Sequence, residues 1–503
     1  MFARIKDIVS KEKLFFFILL PVVFLRFFKL AEFAMFLGDQ GRDAIIIKRI
    51  ITLEHFPAIG PPSSLGQIYL GPFYYYLIAP FLFLSRFNPV GPALGVALIS
   101  IIGIIISYFV VKHETNFKTA LVFFIFSAFS AVNIQFSRFS WNPNLLPIFS
   151  FFTLYFFYRM LTDKNKFYAL ASGAFLSFSI QLHHLAFLLF LPIVLSYLSF
   201  RAKSRNLLYT DVKKISPRAS LGRNDIEKIF ISLISFLFFS LPLLIFDLRH
   251  QFLNSKNLIK FFLEGNPTDH EQFISRFLAT IQPFFSYVFQ LNLNNLFAFF
   301  LFLIILYSLL NKFFFNKNLF ILIHCLNFIL FITIFSVFNV SRNAHYFGPI
   351  YLSFFFILSL LLINLTNKKN YQFLLVPAVL ALYIFFNLKT LTYLFKPDGN
   401  QIKQAEIIAQ SVLKQNPVSP YQTIALPQVE TDGHVRYFLE IKGKRPLPAD
   451  TLIEPEELYV FCFVAECKVI GNPQWQIASF KNAAIDKIWK TENITIYKLI
   501  HKT

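Results

Sequence analysis

The chain has 503 residues, 56% of them hydrophobic and only 15% charged, with a formal net charge of +20. Soluble domains are roughly a quarter charged, and 70 phenylalanines would leave too few polar residues to cover an aqueous fold. That arithmetic also excludes intrinsic disorder and a coiled coil, and 3 cysteines are too few for a disulfide framework. The basic residues sit in short loops between apolar runs, the positive-inside pattern that meets anionic lipid headgroups rather than nucleic acid.

A membrane-spanning helix takes about 20 largely apolar residues. In chain order such runs lie near 14–35, 92–112, 119–136, 145–161, 167–183, 185–200, 227–246, 295–311, 318–338, 345–366 and 371–390. The first is too long to be a cleaved signal peptide. Two further stretches, 67–85 and 271–291, are ambiguous in hydropathy. Loop charge arbitrates: the linker 201–228 carries Arg201, Lys203, Arg205, Lys213, Lys214, Arg218, Arg223 and Lys228, so it is predicted to be cytoplasmic. The same holds for the chain start with Arg4, Lys6, Lys11 and Lys13, and for Lys164–Lys166, Lys312–Lys317 and Lys368–Lys369. These assignments agree if 67–85, with Gly71, Pro72 and Pro80, is re-entrant or broken, and if 271–291 is interfacial.

The expected architecture is therefore a polytopic all-α membrane protein of about 11–13 transmembrane helices over residues 1–390. An extracytoplasmic α/β domain over 391–503 follows, with a helix near Gln401–Lys414 and strand-like runs at Thr423–Leu426, Leu458–Val464 and Ile494–Leu499. Cys462 and Cys467 in that tail are read either as a disulfide or as two buried thiols; their spacing is not that of a metal site.

Chemistry-bearing residues collect on the predicted outer face. The first outer loop, 36–66, begins Phe36-Leu-Gly-Asp-Gln-Gly-Arg-Asp-Ala-Ile. Asp39 and Asp43 are four apart and share a helix face beside Arg42. Two readings stay open for them: a solvated helix start whose dipole favours acids, or a site for proton abstraction and phosphate neutralisation. Gln181, His183 and His184 occupy a tight turn between two spans, and Arg342, His345 and Tyr346 another span end. Each is read as a ligand contact or as a polar turn at the bilayer surface.

The segment Asp39-Gln-Gly-Arg42-Asp43-Ala44 resembles the first outer loop of the C-type membrane glycosyltransferases, in the branch of the protein O-mannosyltransferases and the lipid A aminoarabinose transferase. Gln40 and Asp43 stand where that branch carries a glutamate and a tyrosine. The run Gly60-Pro-Pro-Ser-Ser-Leu and then Gly71-Pro-Phe-Tyr74-Tyr-Tyr-Leu resemble the family's proline loop and the aromatic start of its next helix. Ser137-Arg138-Phe-Ser-Trp-Asn142-Pro-Asn144 resembles the second outer loop, with Asn142 or Asn144 in place of an aspartate.

The resemblance implies a polyprenyl-phosphate-linked sugar donor and displacement at the anomeric carbon, with Asp39 as general base and Asp43 in the acid pair. It implies that Arg42 and Arg138 neutralise the lipid phosphate, with Arg26 and Lys29 as supports or as interfacial snorkels. Tyr74, Asn142, Asn144, His183, His184 and His345 complete the expected substrate-binding set, and no metal or other cofactor is expected. The acceptor, whether glycan, lipid or protein, stays open. A transporter or flippase for a lipid-linked sugar is the competing reading, but it predicts matching repeats in two halves, which the sequence lacks. A membrane scaffold would not need the carboxylate–arginine motif.

Overall fold

The structure, a computed structural model, describes residues 12–63, 67–210, 219–264, 273–310, 318–366, 372–396 and 399–502. The expected basic loops Lys312–Lys317 and Lys368–Lys369, the chain start to Lys11 and residues 211–218 of the basic linker lie outside the described residues. The molecule is mostly helical, with one small sheet near its C-terminus.

The helices used below are α1 (Lys13–Phe27), α2 (Gly38–Ile51), α3 (Phe73–Leu84), α4 (Val90–Glu114), α5 (Phe117–Phe129), α6 (Leu146–Thr162), α7 (Phe167–Leu182), α8 (Gln401–Leu413) and α9 (Gly433–Ile441). By length and composition, 4 helices among the described residues suffice to cross a membrane: Val90–Glu114, Asn142–Thr162, His184–Arg201 and Ala344–Asn364. A fifth is formed if Asp225–Phe239 and Leu241–Arg249, bent by 62° at a break, count as one. Six apolar helices are shorter, among them α3, α5 and α7.

Three of the apolar runs read from sequence, 14–35, 119–136 and 227–246, are interrupted among the described residues. The run 119–136 stops at Ser130, whose hydroxyl accepts from the Asn133 N–H to start a new turn. The run 145–161, by contrast, is continuous, entering its helix through a 3-10 turn with Pro143 near its start. The stretch 67–85 contains the 12-residue helix α3, which runs through Pro80 without a break.

The C-terminal sheet has strands β1 (Tyr421–Leu426), β2 (Glu457–Cys462), β3 (Ala483–Thr491) and β4 (Ile494–His501), in the order β1-β2-β4-β3. β1 and β2 are parallel, Tyr421 opposite Glu457, and every residue of both is buried. Burial on both faces fits the apolar run Leu458–Cys462 of β2, while β1 also buries Gln422 and Thr423. The helix Gln401–Leu413 and three of the strands fall where the sequence places them. β3 and α9 were not foreseen: the alternation in β3 breaks at the irregularity between Ile485 and Lys487, and α9 is only 9 residues long. Cys462 and Cys467 are joined by a disulfide, which settles the open reading of that pair.

The tail is packed into the rest of the chain. One core cluster contains Ala44 and Ile47 of α2, Tyr74, Tyr75 and Ile78 of α3, and Val435, Tyr437 and Phe438 of α9. Fully burying one such side chain is worth about 1.5–3 kcal/mol. Arg49 of α2 meets Glu440 of α9 as a fork, Nε to Oε1 at 3.0 Å and Nη2 to Oε2 at 2.7 Å. A Cβ on Gly433 would come 2.4 Å from the Gly38 carbonyl oxygen, and one on Gly41 would come 2.2 Å from the His434 nitrogen. The two helices therefore approach so closely that glycine is needed at both positions. The consequence is that the tail holds the helix bearing Asp39 and Arg42.

Candidate active site

α2 begins where the Gln40 amide oxygen accepts from the Leu37 N–H at 3.0 Å and the Gln401 amide oxygen of α8 accepts from the Phe36 N–H at 2.9 Å. These two bonds satisfy N–H groups that the chain would leave open at a helix entry. Asp39 lies in the first turn, where the helix dipole favours a carboxylate, and its side chain is 53% exposed. Four residues on, the Asp43 side chain is 1% exposed.

Arg42 links the two acids. Its Nη1 donates to Asp39 Oδ1 at 2.9 Å, while Nε and Nη2 both donate to Asp43 Oδ1 at 3.0 and 2.8 Å. The Tyr75 hydroxyl, from α3, donates to the same Asp43 oxygen at 3.2 Å. The other Asp43 oxygen, Oδ2, is buried without a hydrogen-bond partner. Burial pushes the Asp43 carboxyl above the ordinary carboxylate range, and the Arg42 guanidinium pulls against that shift. A helix face thus presents an accessible carboxylate to solvent and turns a second one inward as the anchor for the guanidinium between them.

A second group forms where three 3-10 turns meet. Trp141 precedes one turn, His183 and His184 open another, and His345 and Tyr346 lie in the third. The His345 ring is 4.6 Å from Trp141 and 5.9 Å from His183, and His183 is 5.4 Å from Tyr346. His183 Nδ1 accepts from the Leu185 N–H at 3.2 Å, which places the proton of the neutral ring on Nε2. The tertiary structure brings His183 and His345, which the resemblance places in one binding set, together with the rings of Trp141 and Tyr346.

α3 joins the two groups. The hydroxyl of Tyr75 touches Asp43, and the Phe73 N–H donates to the Gln181 amide oxygen at 3.3 Å, two residues before His183. The Gln181 amide nitrogen in turn donates to Ser177 Oγ and to the Phe239 carbonyl, both at 2.9 Å.

Other expected residues are used in scaffold bonds. Tyr74 is fully buried, its hydroxyl 2.7 Å from Ser140 Oγ. Asn142 donates to the Leu182 carbonyl at 2.7 Å and Asn144 to the Phe139 carbonyl at 2.8 Å, both buried. Arg138, 2% exposed, donates from Nη1 to the Leu25 carbonyl at 2.6 Å and from Nη2 to the Phe28 carbonyl at 2.7 Å. Arg26 is fully buried and donates to the Val22 and Ala128 carbonyls, both at 3.1 Å. Lys29 pairs with Glu32 at the surface. Tyr75 was missed as a site residue; three successive tyrosines gave no sign of which would face the acid. Among the described residues, no three His, Cys, Asp or Glu side chains form a metal-holding group.

The fold resembles that of the C-type membrane glycosyltransferases. The structure of ArnT from Cupriavidus metallidurans bound to undecaprenyl phosphate superposes with a TM-score of 0.58 at 13% identity, covering 97% of this chain and 98% of that one. The apo form of the same protein gives 0.57 at 13% identity, covering 98% of each. In sequence, residues 70–216 match the family model described as dolichyl-phosphate-mannose-protein mannosyltransferase. No curated protein matches the chain. The chain thus resembles this superfamily, in its mannosyltransferase and aminoarabinose transferase branch.

Proposed function

We propose that the chain is an integral-membrane glycosyltransferase that moves a hexosyl or pentosyl group from a polyprenyl-phosphate carrier to an acceptor on the extracytoplasmic side. The observation that carries this reading is the exposed Asp39 carboxylate beside an Arg42 guanidinium that buried Asp43 and Tyr75 hold in place. Asp39 takes the proton from the acceptor nucleophile as its lone pair attacks the anomeric carbon. The bond from that carbon to the phosphate oxygen breaks, and its electron pair leaves with the lipid phosphate. Arg42 stands where that negative charge develops. Asp43 acts as a positioning residue for Arg42 rather than as a second acid or base, since its carboxylate is turned away from solvent.

Arg138 departs from its expected place in this reading. Both of its Nη atoms are engaged by carbonyls at the end of α1, so we assign it to holding that helix end rather than to the donor phosphate. Tyr74, Asn142 and Asn144 are assigned to the scaffold for the same reason. His183 and His345, with Trp141, are assigned to the donor's sugar or phosphate, to which His183 Nε2–H can donate.

The donor class is supported by the family described by dolichyl-phosphate-mannose and by the fold shared with ArnT, whose structure holds undecaprenyl phosphate. The orientation is supported by the Cys462–Cys467 disulfide, because such bonds persist in oxidising compartments. The division into a membrane part, 1–390, with about 11–13 spans and an outer domain, 391–503, belongs to the same proposal.

The test is transfer of labelled sugar from several polyprenyl-phosphate donors by the full chain in nanodiscs. Asp39→Asn keeps size and hydrogen bonding but cannot accept a proton, so transfer should fall at least about a hundredfold with normal membrane insertion. Turnover by Asp39→Asn near that of the wild type would remove the assignment.

A further inference from the structure

The tail contains a cleft of about 470 Å³ that the proposed chemistry does not use. It lies against the end of β1, lined by Thr423, Ile424 and Ala425, by the loop Gln428–Asp432 that leads into α9, and by Pro473–Gln476 across from them. In parallel sheets, ligands bind beyond the carboxyl ends of the strands, and this cleft follows that rule for β1. Its volume is within the usual span of small-molecule sites, about 300–1,000 Å³.

The lining has a definite chemistry. Trp475 is 57% exposed although it is one of only 3 tryptophans in the chain. Around it stand planar hydrogen-bonding groups: the amides of Gln428 and Gln476 and the carboxylates of Glu430 and Asp432. The cleft wall carries no lysine or arginine, so it does not suit a phosphate or an anionic headgroup. A pyranose ring has an apolar C–H face and a rim of hydroxyls. An aromatic plate bordered by planar acceptors and donors matches both.

Its walls are braced. The Asp432 carboxylate accepts from Thr423 Oγ1 at 2.5 Å and from Arg436 Nη1 at 3.4 Å. The Gln474 amide, oriented to satisfy both ends, joins the Ala425 carbonyl to the Gln428 N–H. The disulfide Cys462–Cys467 ties down the start of the segment that carries Trp475.

The cleft also adjoins the α2 site. Thr431 Oγ1 occupies the space that a Cβ on Gly38 would fill, one residue before Asp39. We propose that this cleft binds the glycan part of the acceptor, a short uncharged or amine-bearing oligosaccharide stacked on Trp475, with its growing end directed to Asp39. This rests on the glycosyltransferase reading of α2, which supplies the reason for an acceptor to be there.

The experiment measures saturation-transfer NMR on the full chain in nanodiscs. The probes are maltohexaose, mannohexaose and chitohexaose, with a serine- and threonine-rich peptide of equal length beside them. At least one oligosaccharide should bind the wild type. Trp475→Ala should weaken that binding at least tenfold, Trp475→Phe should restore much of it, and Gln476→Ala should weaken it less. Asp39→Asn should bind as the wild type does. Absence of binding by all three sugars, indifference to Trp475→Ala, or Trp475-dependent binding of the peptide alone would overturn the proposal. Full transfer by Asp39→Asn with intact sugar binding would instead strike the catalytic reading and leave the cleft standing.

Discussion

Arginine is used in two opposite ways at neighbouring places in this molecule. On α2, Arg42 lies between two carboxylates, with a third of its side chain exposed. At the end of α1, Arg138 and Arg26 are buried and given to backbone carbonyls. An interrupted apolar helix leaves its last carbonyls without partners, which is costly away from water. A guanidinium, a planar fork of donors, closes such an end by donating to its carbonyls, although Arg26 Nε and Nη2 and Arg138 Nε stay buried without a partner. On α2 the same fork is fixed from behind by Asp43 and Tyr75, and one side still looks onto the exposed Asp39. The lesson is that a loop arginine is informative about chemistry only once its partner is known: carbonyl partners mark a brace, and a carboxylate pair open on one side marks a candidate site.

The sharpest way to break this contrast is Arg42→Met. It leaves the buried Asp43 carboxylate with Tyr75 alone, and removing one partner of a buried pair costs about 3–5 kcal/mol. Thermal unfolding in nanodiscs should show that loss, and transfer should be lost as well. Adding Asp43→Asn should recover most of the stability and none of the transfer. Recovery of both would mean that Arg42 only neutralises Asp43.

At the brace, Arg138→Lys keeps the charge but cannot reach the Leu25 and Phe28 carbonyls together. Leaving one carbonyl unpaired costs roughly 1–3 kcal/mol. The melting temperature should fall while the donor dependence of transfer per folded molecule stays unchanged. A raised donor KM with unchanged stability would return Arg138 to the phosphate, where the sequence reading places it.

The smallest effect concerns the clasp that holds α2 to the tail. Burial alone would raise the Glu440 carboxyl, but Arg49, Arg445 and Lys48 outweigh it and hold it below the ordinary value of 4.5. The Glu54 carboxyl, bonded to Lys48 and Thr52, is brought down to about 2. A carboxylate lowered in the folded state adds stability above its unfolded value and loses it as the pH falls through the lowered one. Hydrogen exchange in α9 should therefore speed up as the pH is taken below about 4.5, at matched intrinsic exchange rates. Glu440→Gln should show fast exchange already at neutral pH and a flatter pH dependence. An unchanged pH profile in Glu440→Gln would assign the clasp to packing alone.

Much of the candidate site was legible because it is local. Asp39, Arg42 and Asp43 sit within five positions, and helix periodicity alone puts them on one face. The different fates of the two acids were not legible. Asp43 is buried because α3 packs against α2, and that contact joins residues about thirty positions apart. The resemblance already groups His183 with His345, but the place of Trp141 beside His345 was hidden, since it depends on how the turns meet.

By itself the sequence determined that lipid is the solvent, that the spans are helical, and that a mixed α/β tail follows them. Composition and periodicity act residue by residue, so these properties survive without knowledge of any contact. The tertiary structure alone decided which apolar runs are broken, which arginines face carbonyls and which face carboxylates, and that α9 presses its Gly433 against Gly38 and Gly41. Those outcomes depend on where unsatisfied polar groups of one segment meet the donors of another, and in a low-dielectric interior most such groups are paired across the fold, since leaving one unpaired is costly.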